Sequence, residues 1–206
     1  LDSMDNMTVE KMKSVQLDQT SPFAQEILPF IWLTETGEET GNLKRAYEFL
    51  KVWDGVEDVD SEAALIFHAT MRNLVLNLYG DELALLGQNY LEAYTGLKYL
   101  VHRKIREIFK TGESSWIDDI TTPNHVETLN EIISESVADA IIELEESFGV
   151  NISNWKWGDA HSLTHPHMLS KVKLLDWLFD LNVGPFRSGG SDKSPNAGGY
   201  SFNKPY

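Results

Sequence analysis

The residues best suited to chemistry lie in one short stretch near the C-terminal end of the sequence. Asp159, His161, His165 and His167 fall within nine residues. Neutral imidazole is the commonest nitrogen ligand of zinc, and two histidines four residues apart share one face of a helix. However, Pro166 interrupts any helix between the last two histidines, and no cysteine or Glu-His pair elsewhere completes a metal motif. We therefore predict no metal here, and His161, His165 and His167 are the candidate ligands if one binds.

The alternative interpretation of this stretch is a turn that fastens a helical body to the strands that follow it. Trp155 and Trp157 come directly before the histidines. Large rings pack well against a core, and an imidazole can hydrogen-bond through either ring nitrogen. We favour this interpretation, in which the side chains hold the chain together and do not react.

Other catalytic and phosphate-binding sites find little support in the sequence. His68, His125 and several serines are present, but no Gly-x-Ser-x-Gly motif marks a nucleophile. The run from Gly184 to Gly190 lacks the glycine spacing of a phosphate-binding loop, and Ser188-Gly189-Gly190-Ser191 is typical of a flexible loop.

Two acidic clusters are the remaining candidates for a cation site. Glu57-Asp58 with Asp60 forms one cluster, and Asp118-Asp119 forms the other. Neither has the alternating oxygen ligands and closing glutamate of an EF-hand loop. We therefore expect both clusters to be solvated.

Composition narrows the class of protein and its partners. The 206 residues carry 17 basic and 32 acidic side chains, for a net charge of −15, which repels nucleic acid and anionic membranes. No apolar run is long enough to cross a bilayer. The absence of cysteine excludes disulfides and thiolate sites but identifies no compartment. Neither end, Leu1 to Asp5 or Phe202 to Tyr206, resembles a natural terminus, so we expect a piece of a longer chain.

Apolar residues follow a helical period over most of the chain, so helices must position the residues described above. We predict a mainly α fold with a helical body over residues 1–149. The predicted helices run from about Thr8 to Asp18, Pro22 to Ile31 with a kink at Pro29, Leu43 to Leu50, Ser61 to Leu76, Asp81 to Leu86, Leu91 to Phe109, and Pro123 to Phe148 after a Thr122 cap. The helix after Ser61 is apolar on nearly every face, which predicts the core helix.

Residues 150–206 have a different texture. Short runs rich in Trp, His, Asn and Gly replace the helical pattern, apart from a brief predicted helix from Leu169 to Phe179. We predict that this second region is mostly loop and strand and forms a short tail on the helical body.

Four motifs in this order resemble the penicillin amidase (penicillin acylase) family. They are Trp53-Asp54-Gly55 at a helix end, Trp155-x-Trp157-Gly158-x-x-His161-x-x-x-His165-Pro166, Asn182-Val183-Gly184-Pro185-Phe186-x-x-Gly189-Gly190, and Asn196-Ala197-Gly198-Gly199-Tyr200. The resemblance thus spans nearly the whole chain. It implies that these motif residues are structural.

The resemblance implies an amide hydrolase of the N-terminal nucleophile type, with an αββα fold of which this chain is the helical part of the β chain. In that family the first serine of the β chain attacks the amide, and its own α-amino group is the base. An asparagine in an oxyanion hole stabilises the intermediate. No residue of this chain matches either role, so the resemblance implies that the nucleophile lies outside it and that the chain alone is inactive.

The resemblance also implies which partners, metal ions and cellular location to expect. It implies that the partners are the remainder of the β chain and the α chain, that calcium ligands lie outside this segment, and that the parent is periplasmic or secreted. Excised apolar surface would favour self-association. His167 departs from the family pattern, which has an apolar residue after His-Pro. The competing hypothesis is therefore a free-standing helical binding module whose His-rich loop docks a partner or metal.

Overall fold

A computed structural model describes residues 6–197, and over this range the protein is mainly helical, as predicted. In chain order the elements are α1 (Val9–Gln16), α2 (Pro22–Trp32), α3 (Gly41–Val52), α4 (Glu62–Leu86), α5 (Gln88–Gly96), α6 (Lys98–Thr111), α7 (Leu129–Phe148), α8 (Trp157–Ala160), β1 (Ser162–His165), α9 (Lys173–Phe179) and β2 (Val183–Arg187). Short 3-10 turns at Ile152–Asn154 and Met168–Lys171 join the later elements.

Helix α4 is the centre of the core, as its uniformly apolar sequence predicts. Ser61 caps its first turn by accepting a hydrogen bond from the Ala64 amide at 3.1 Å. The helix packs most extensively against α7. Arg72 donates to both carboxylate oxygens of Glu143 at 2.9 and 2.8 Å, and Asn77 donates to Asp139 at 3.0 Å. Apolar burial therefore holds this pair together, and the Arg72–Glu143 ion pair, in which one guanidinium nitrogen contacts both carboxylate oxygens, favours this register.

Four predicted helix boundaries are wrong. The brief helix expected from Leu169 begins at Lys173, because Met168–Lys171 form a separate 3-10 turn. The chain continues as α4 to Leu86, so the separate helix expected from Asp81 does not exist. The long helix expected from Leu91 to Phe109 is broken at Leu97 into α5 and α6. Its apolar spacing runs across the break, which is why periodicity alone missed it.

The fourth wrong boundary is the start of α7. Thr122-Pro123 lies in a loop, and the helix begins six residues later with a capping box. Thr128 accepts from the Glu131 amide, and the Glu131 carboxylate accepts from the Thr128 amide at 2.7 Å. The reciprocal pair satisfies two backbone donors, so it outcompetes the Thr-Pro start.

The C-terminal residues divide into two parts with opposite surroundings. Ile152, Trp155 and Trp157 belong to the same hydrophobic core as the helices. Residues 162–187, which we call the hairpin unit, consist of the antiparallel pair β1 and β2 with α9 between them. Leu163 pairs with Phe186 and His165 with Val183, and a bulge separates the two pairs. Every residue of both strands is exposed.

Candidate functional site

The two tryptophans of the Trp-x-Trp motif are both buried, and each places its indole N–H on a backbone carbonyl. Trp155 donates to the Gly149 oxygen at 2.8 Å, where α7 ends. Trp157 donates to the Gly190 oxygen at 2.9 Å, 33 residues along the chain. A buried indole N–H needs such a partner. The second bond therefore ties the C-terminal segment to the helical body.

The Trp157 ring also stacks with two histidine rings. The His68 ring on α4 stacks on one face at a centroid distance of 4.1 Å and an interplanar angle of 14°. The His161 ring stacks at 4.7 Å and 9°. His161 Nδ1 lies 2.8 Å from the Ser188 carbonyl oxygen, which only accepts, so this nitrogen carries the proton and donates. The His161 ring is thereby fixed and buried.

His68 binds a buried acid, Glu57. Its Nε2 lies 3.0 Å from Glu57 Oε1, and the glutamate is fully buried. Burial raises the pKa of Glu57. The hydrogen bond and charge of His68 and the hydroxyls of Ser191 and Ser21 lower it by more than burial raises it, so the pKa of Glu57 is below its ordinary value. Glu57 is therefore ionised in the folded protein. Glu57, His68, Trp157 and His161, with the backbone of 188–190, form what we call the buried junction.

The backbone around Glu57 joins three segments of the chain. The Glu57 amide donates to the Gln19 oxygen at 2.9 Å, and the Gly190 amide donates to the Glu57 oxygen at 2.7 Å. The Asn196 amide donates to the Asp18 oxygen at 2.8 Å. Asn196 is thus held at the edge of the junction, whereas Gly198, Gly199 and Tyr200 of its motif lie outside the described residues.

Two motif glycines allow the backbone of the C-terminal segment to lie close to neighbouring residues. A Cβ on Gly158 would lie 2.3 Å from the Val59 side chain. Gly190 has φ +71°, and a Cβ there would lie 2.1 Å from the Asn196 oxygen. Gly189 is buried beside Gln19. Gly158 and Gly190 therefore let the backbone of the tail touch the body without a gap.

The Trp53-Asp54-Gly55 motif turns the chain from α3 into the segment that carries Glu57. Trp53 Nε1 donates to the Val56 oxygen at 2.8 Å, and Asp54 Oδ1 accepts from the Val56 amide at 3.0 Å. The Gly55 oxygen accepts from the Ser21 amide at 2.8 Å. All three residues thus act through the turn that places Glu57 beside His68.

The remaining motif residues lie in the hairpin unit, and the structure does not bring them to the junction. His165 and Pro166 are exposed, as are Gly184 and Pro185, which form a cis peptide bond. Asn182 accepts from the His167 amide at 3.0 Å and donates to Asp176 at 3.0 Å. These contacts shape the hairpin itself.

The three histidines considered as metal ligands do not lie together in the structure. His161 is buried against Trp157, whereas His165 and His167 are exposed. Over residues 6–197, no group of three or more histidine, aspartate or glutamate side chains is arranged to hold a metal ion.

The acidic clusters likewise have protein partners. Asp58 Oδ1 accepts from the Asp60 amide at 2.8 Å, and Asp60 pairs with Arg187 at 2.9 Å. Asp119 Oδ1 accepts from the amide and hydroxyl of Thr121. The expectation that the first cluster is solvated is wrong for Glu57, and these contacts do not fit a calcium cage.

Sequence reasoning missed Glu57 and its partner, although one signal pointed to them. His68 is a polar ring on a helix that is otherwise apolar and was expected to be the core. A buried imidazole requires a hydrogen-bond partner, and a carboxylate is the strongest acceptor available. The identity of that acid depended on the turn after Gly55, which periodicity does not specify.

The chemistry that this arrangement can perform is limited by its burial. Glu57, His68 and His161 have the side-chain types of a proton-transfer site, but their exposed fractions are 0, 4 and 6%. The residues on either side of Trp157 form ion pairs, from Arg187 to Asp159 at 2.7 Å and from Lys156 to Glu62 at 2.5 Å. The arrangement is therefore suited to fastening the tail.

A comparison with models of protein families agrees with the motif pattern. A family model described as penicillin amidase matches residues 1–206. A comparison with curated proteins finds no match. Among the described helices, none has the length and apolar character needed to span a membrane.

Proposed function

We propose, from the premise that this chain belongs to the penicillin amidase family, that it is the helical scaffold of an amide hydrolase whose nucleophile lies outside these residues. In this proposal the chain alone does not turn over substrate. The family match over the whole chain, together with the buried junction, carries the proposal. The side chains with acid-base character are packed into the core, where they stabilise the fold.

The parent would hydrolyse a linear amide with a hydrophobic acyl group. Its N-terminal serine oxygen attacks the amide carbonyl, the amine leaves with a proton, and water then hydrolyses the acyl-serine ester. Candidate substrates are β-lactam side-chain amides and acyl-homoserine lactones. The proposal includes a periplasmic or secreted parent, and any calcium is held by residues outside this chain.

The exposed side chains of the hairpin unit support the proposal that the scaffold has a protein partner. Met168, Leu174, Trp177 and Phe179 are all exposed, and Trp177 exposes 80% of its surface. Several large apolar side chains exposed within one short unit are typical of a protein interface. We assign it to the remainder of the β chain, while the α chain completes the enzyme.

The central experiment measures hydrolysis of a chromogenic acyl amide by the isolated, folded chain. We expect no turnover above the uncatalysed rate. Robust turnover that is abolished by replacing an internal serine, such as Ser188→Ala, would show that the chain carries its own nucleophile and would overturn the proposal.

A second experiment tests the scaffold role in the intact precursor. Glu57→Gln should lower the yield of processed enzyme, because it weakens the buried junction. The kcat per titrated active serine should be unchanged. A large fall in kcat per titrated serine, with normal yield, would instead place Glu57 in the catalytic machinery.

A further inference from the structure

Helix α6 is a basic element in a strongly acidic protein. Its residues Lys98–Thr111 include five lysines and arginines and one glutamate, so the helix carries +4, whereas the rest of the sequence carries −19. Surface charges more than about 10 Å apart are largely screened at 0.1 M salt, so a ligand on α6 meets mainly the charges of the helix itself. The local charge is therefore opposite in sign to that of the whole chain.

The outward-facing side chains of α6 form a stripe along one side of the helix. They are Tyr99, Arg103, Arg106 and Lys110, which recur at intervals of four, three and four residues. This spacing places side chains on one helix face. Tyr99, Arg103 and Lys110 are exposed, and Arg106 is partly exposed. We call these four residues the basic stripe, and its charges are accessible to a partner.

Glu26 on α2 neutralises one charge of the basic stripe. Arg106 Nε donates to Glu26 Oε2 at 2.8 Å, and Lys110 Nζ lies 3.4 Å from the other oxygen of the same carboxylate. The Arg106 guanidinium also lies 5.0 Å from the centre of the Phe23 ring. One carboxylate therefore serves two cations, and these contacts hold Arg106 in place.

Glu107 is the other carboxylate beside the basic stripe, and its ion pair is with Lys104. Lys104 Nζ lies 2.9 Å from Glu107 Oε2. Lys104, and to a smaller extent Arg103, lowers the pKa of Glu107. Arg103 nevertheless forms no hydrogen bond or salt bridge with any residue from 6 to 197. The stripe therefore keeps a positive charge that these residues do not pair.

A shallow depression lies between the side chains of the basic stripe. It has a volume of about 360 Å³ and is lined by Arg103, Arg106, Glu107, Lys110 and Thr111. Three of the lining side chains are cations and one is an anion. Arginine binds carboxylates well, because its planar guanidinium can donate two parallel hydrogen bonds. The depression therefore suits the carboxylate of a partner.

The charge of the remaining surface decides the kind of anionic partner. A long polyanion such as nucleic acid would extend past the basic stripe and meet the −19 of the rest of the chain. A short anionic segment can stay on the stripe. Tyrosine and arginine are enriched where proteins contact each other, and the stripe contains both. These properties favour a polypeptide over a nucleic acid.

We propose that the basic stripe is a docking surface for a short acidic segment of a partner polypeptide, whose carboxylates pair with Arg103 and Lys110. The proposal is independent of the proposed amide hydrolysis and of the hairpin unit, because the stripe lies on α6 alone.

The test titrates the isotope-labelled 206-residue chain with capped hexaglutamate at about 0.1 M salt, followed by NMR. We expect saturable shifts of the amides of α6 at millimolar peptide, and none with capped hexaglutamine. Replacing Arg103 and Lys110 together by Gln should weaken binding about fivefold, the effect of two surface ion pairs. The matched variant replaces Lys44 and Arg45 by Gln. It removes the same charge from exposed positions on α3 and should leave the affinity unchanged.

Four outcomes would overturn the proposal. They are no shift of the α6 amides with hexaglutamate, equal binding of hexaglutamine, equal weakening in the two double variants, and binding of an oligothymidylate of about 20 nucleotides at least as tightly as hexaglutamate. The third outcome would mean that only the net charge matters, and the fourth would identify a nucleic-acid surface.

Discussion

The C-terminal residues of the buried junction flank the hairpin unit in sequence, but the large side chains of the two regions have opposite surroundings. Trp157 is buried and stacks with two histidine rings, whereas Trp177, twenty residues later, exposes 80% of its surface. In the junction, Glu57 Oε1 lies 3.0 Å from His68 Nε2 and His161 Nδ1 lies 2.8 Å from the Ser188 oxygen. The difference shows that the large rings of the junction are packed into the core, whereas those of the hairpin unit remain as exposed apolar surface.

The largest expected effect follows from removing the enclosed ring. Trp157→Ala should lower the free energy of unfolding by about 3–5 kcal/mol, because a fully buried aromatic ring leaves a cavity and two unstacked histidines. The matched variant Trp177→Ala should change it by less than about 0.5 kcal/mol, because its ring is exposed. Urea unfolding followed by circular dichroism measures both. Equal effects of the two variants would remove the distinction between the regions.

Loss of the buried charge should have the next largest effect. Glu57→Gln should lower the free energy of unfolding by about 2–3 kcal/mol, because a charge-assisted hydrogen bond to His68 becomes a neutral one. Glu10→Gln is the control, since the Glu10 pair with Lys13 is highly exposed and surface pairs contribute about 0–1 kcal/mol. A Glu57→Gln variant as stable as Glu10→Gln would contradict the junction as described.

Glu57 also predicts a pH dependence. Its pKa in the folded protein is below the ordinary value of 4.5, so the unfolded chain takes up the proton first as the pH falls. The stability from Glu57 is present above about pH 4.5 and is lost as the pH falls through the folded pKa. Urea midpoints measured between pH 6 and about pH 3 should therefore fall less steeply in Glu57→Gln than in the wild type. Parallel curves would show that Glu57 does not carry this linkage.

A smaller effect tests the backbone contact. Gly190→Ala should lower the free energy of unfolding by about 2 kcal/mol, because φ is positive and the new Cβ meets the Asn196 oxygen. Gly37→Ala is the control, since Gly37 also has positive φ but nothing lies within 4 Å of the added atom. Gly37→Ala should lower the free energy of unfolding by about 1 kcal/mol, from backbone strain alone. Equal costs would mean that the tail is not held tightly at Gly190.

The sequence predicts much of the helical body because its signals are local. Ser21 followed by Pro22 starts α2 as expected, and the apolar faces of α4 specify a core helix. The sequence does not predict the break at Leu97, because the apolar spacing continues across it. It also suggests the wrong start for α7, because Thr122-Pro123 is a plausible helix start in sequence whereas the protein uses the capping box at Thr128. Glu57 was missed for a different reason. Its burial depends on contacts with His68, Ser21 and Ser191, which come from three separate parts of the chain.

The smallest expected effect on folding is the one that tests the hairpin side of the comparison. Replacing Trp177 and Phe179 together by Gln should change the free energy of unfolding by less than about 0.5 kcal/mol, because both rings are exposed. The same change should reduce self-association of the isolated chain, measured by sedimentation velocity over a range of concentrations, because it removes apolar surface that another chain would otherwise cover. Val52→Gln is the control, since Val52 is equally exposed but lies on α3. A wild-type chain that stays monomeric at every concentration would contradict self-association through this surface.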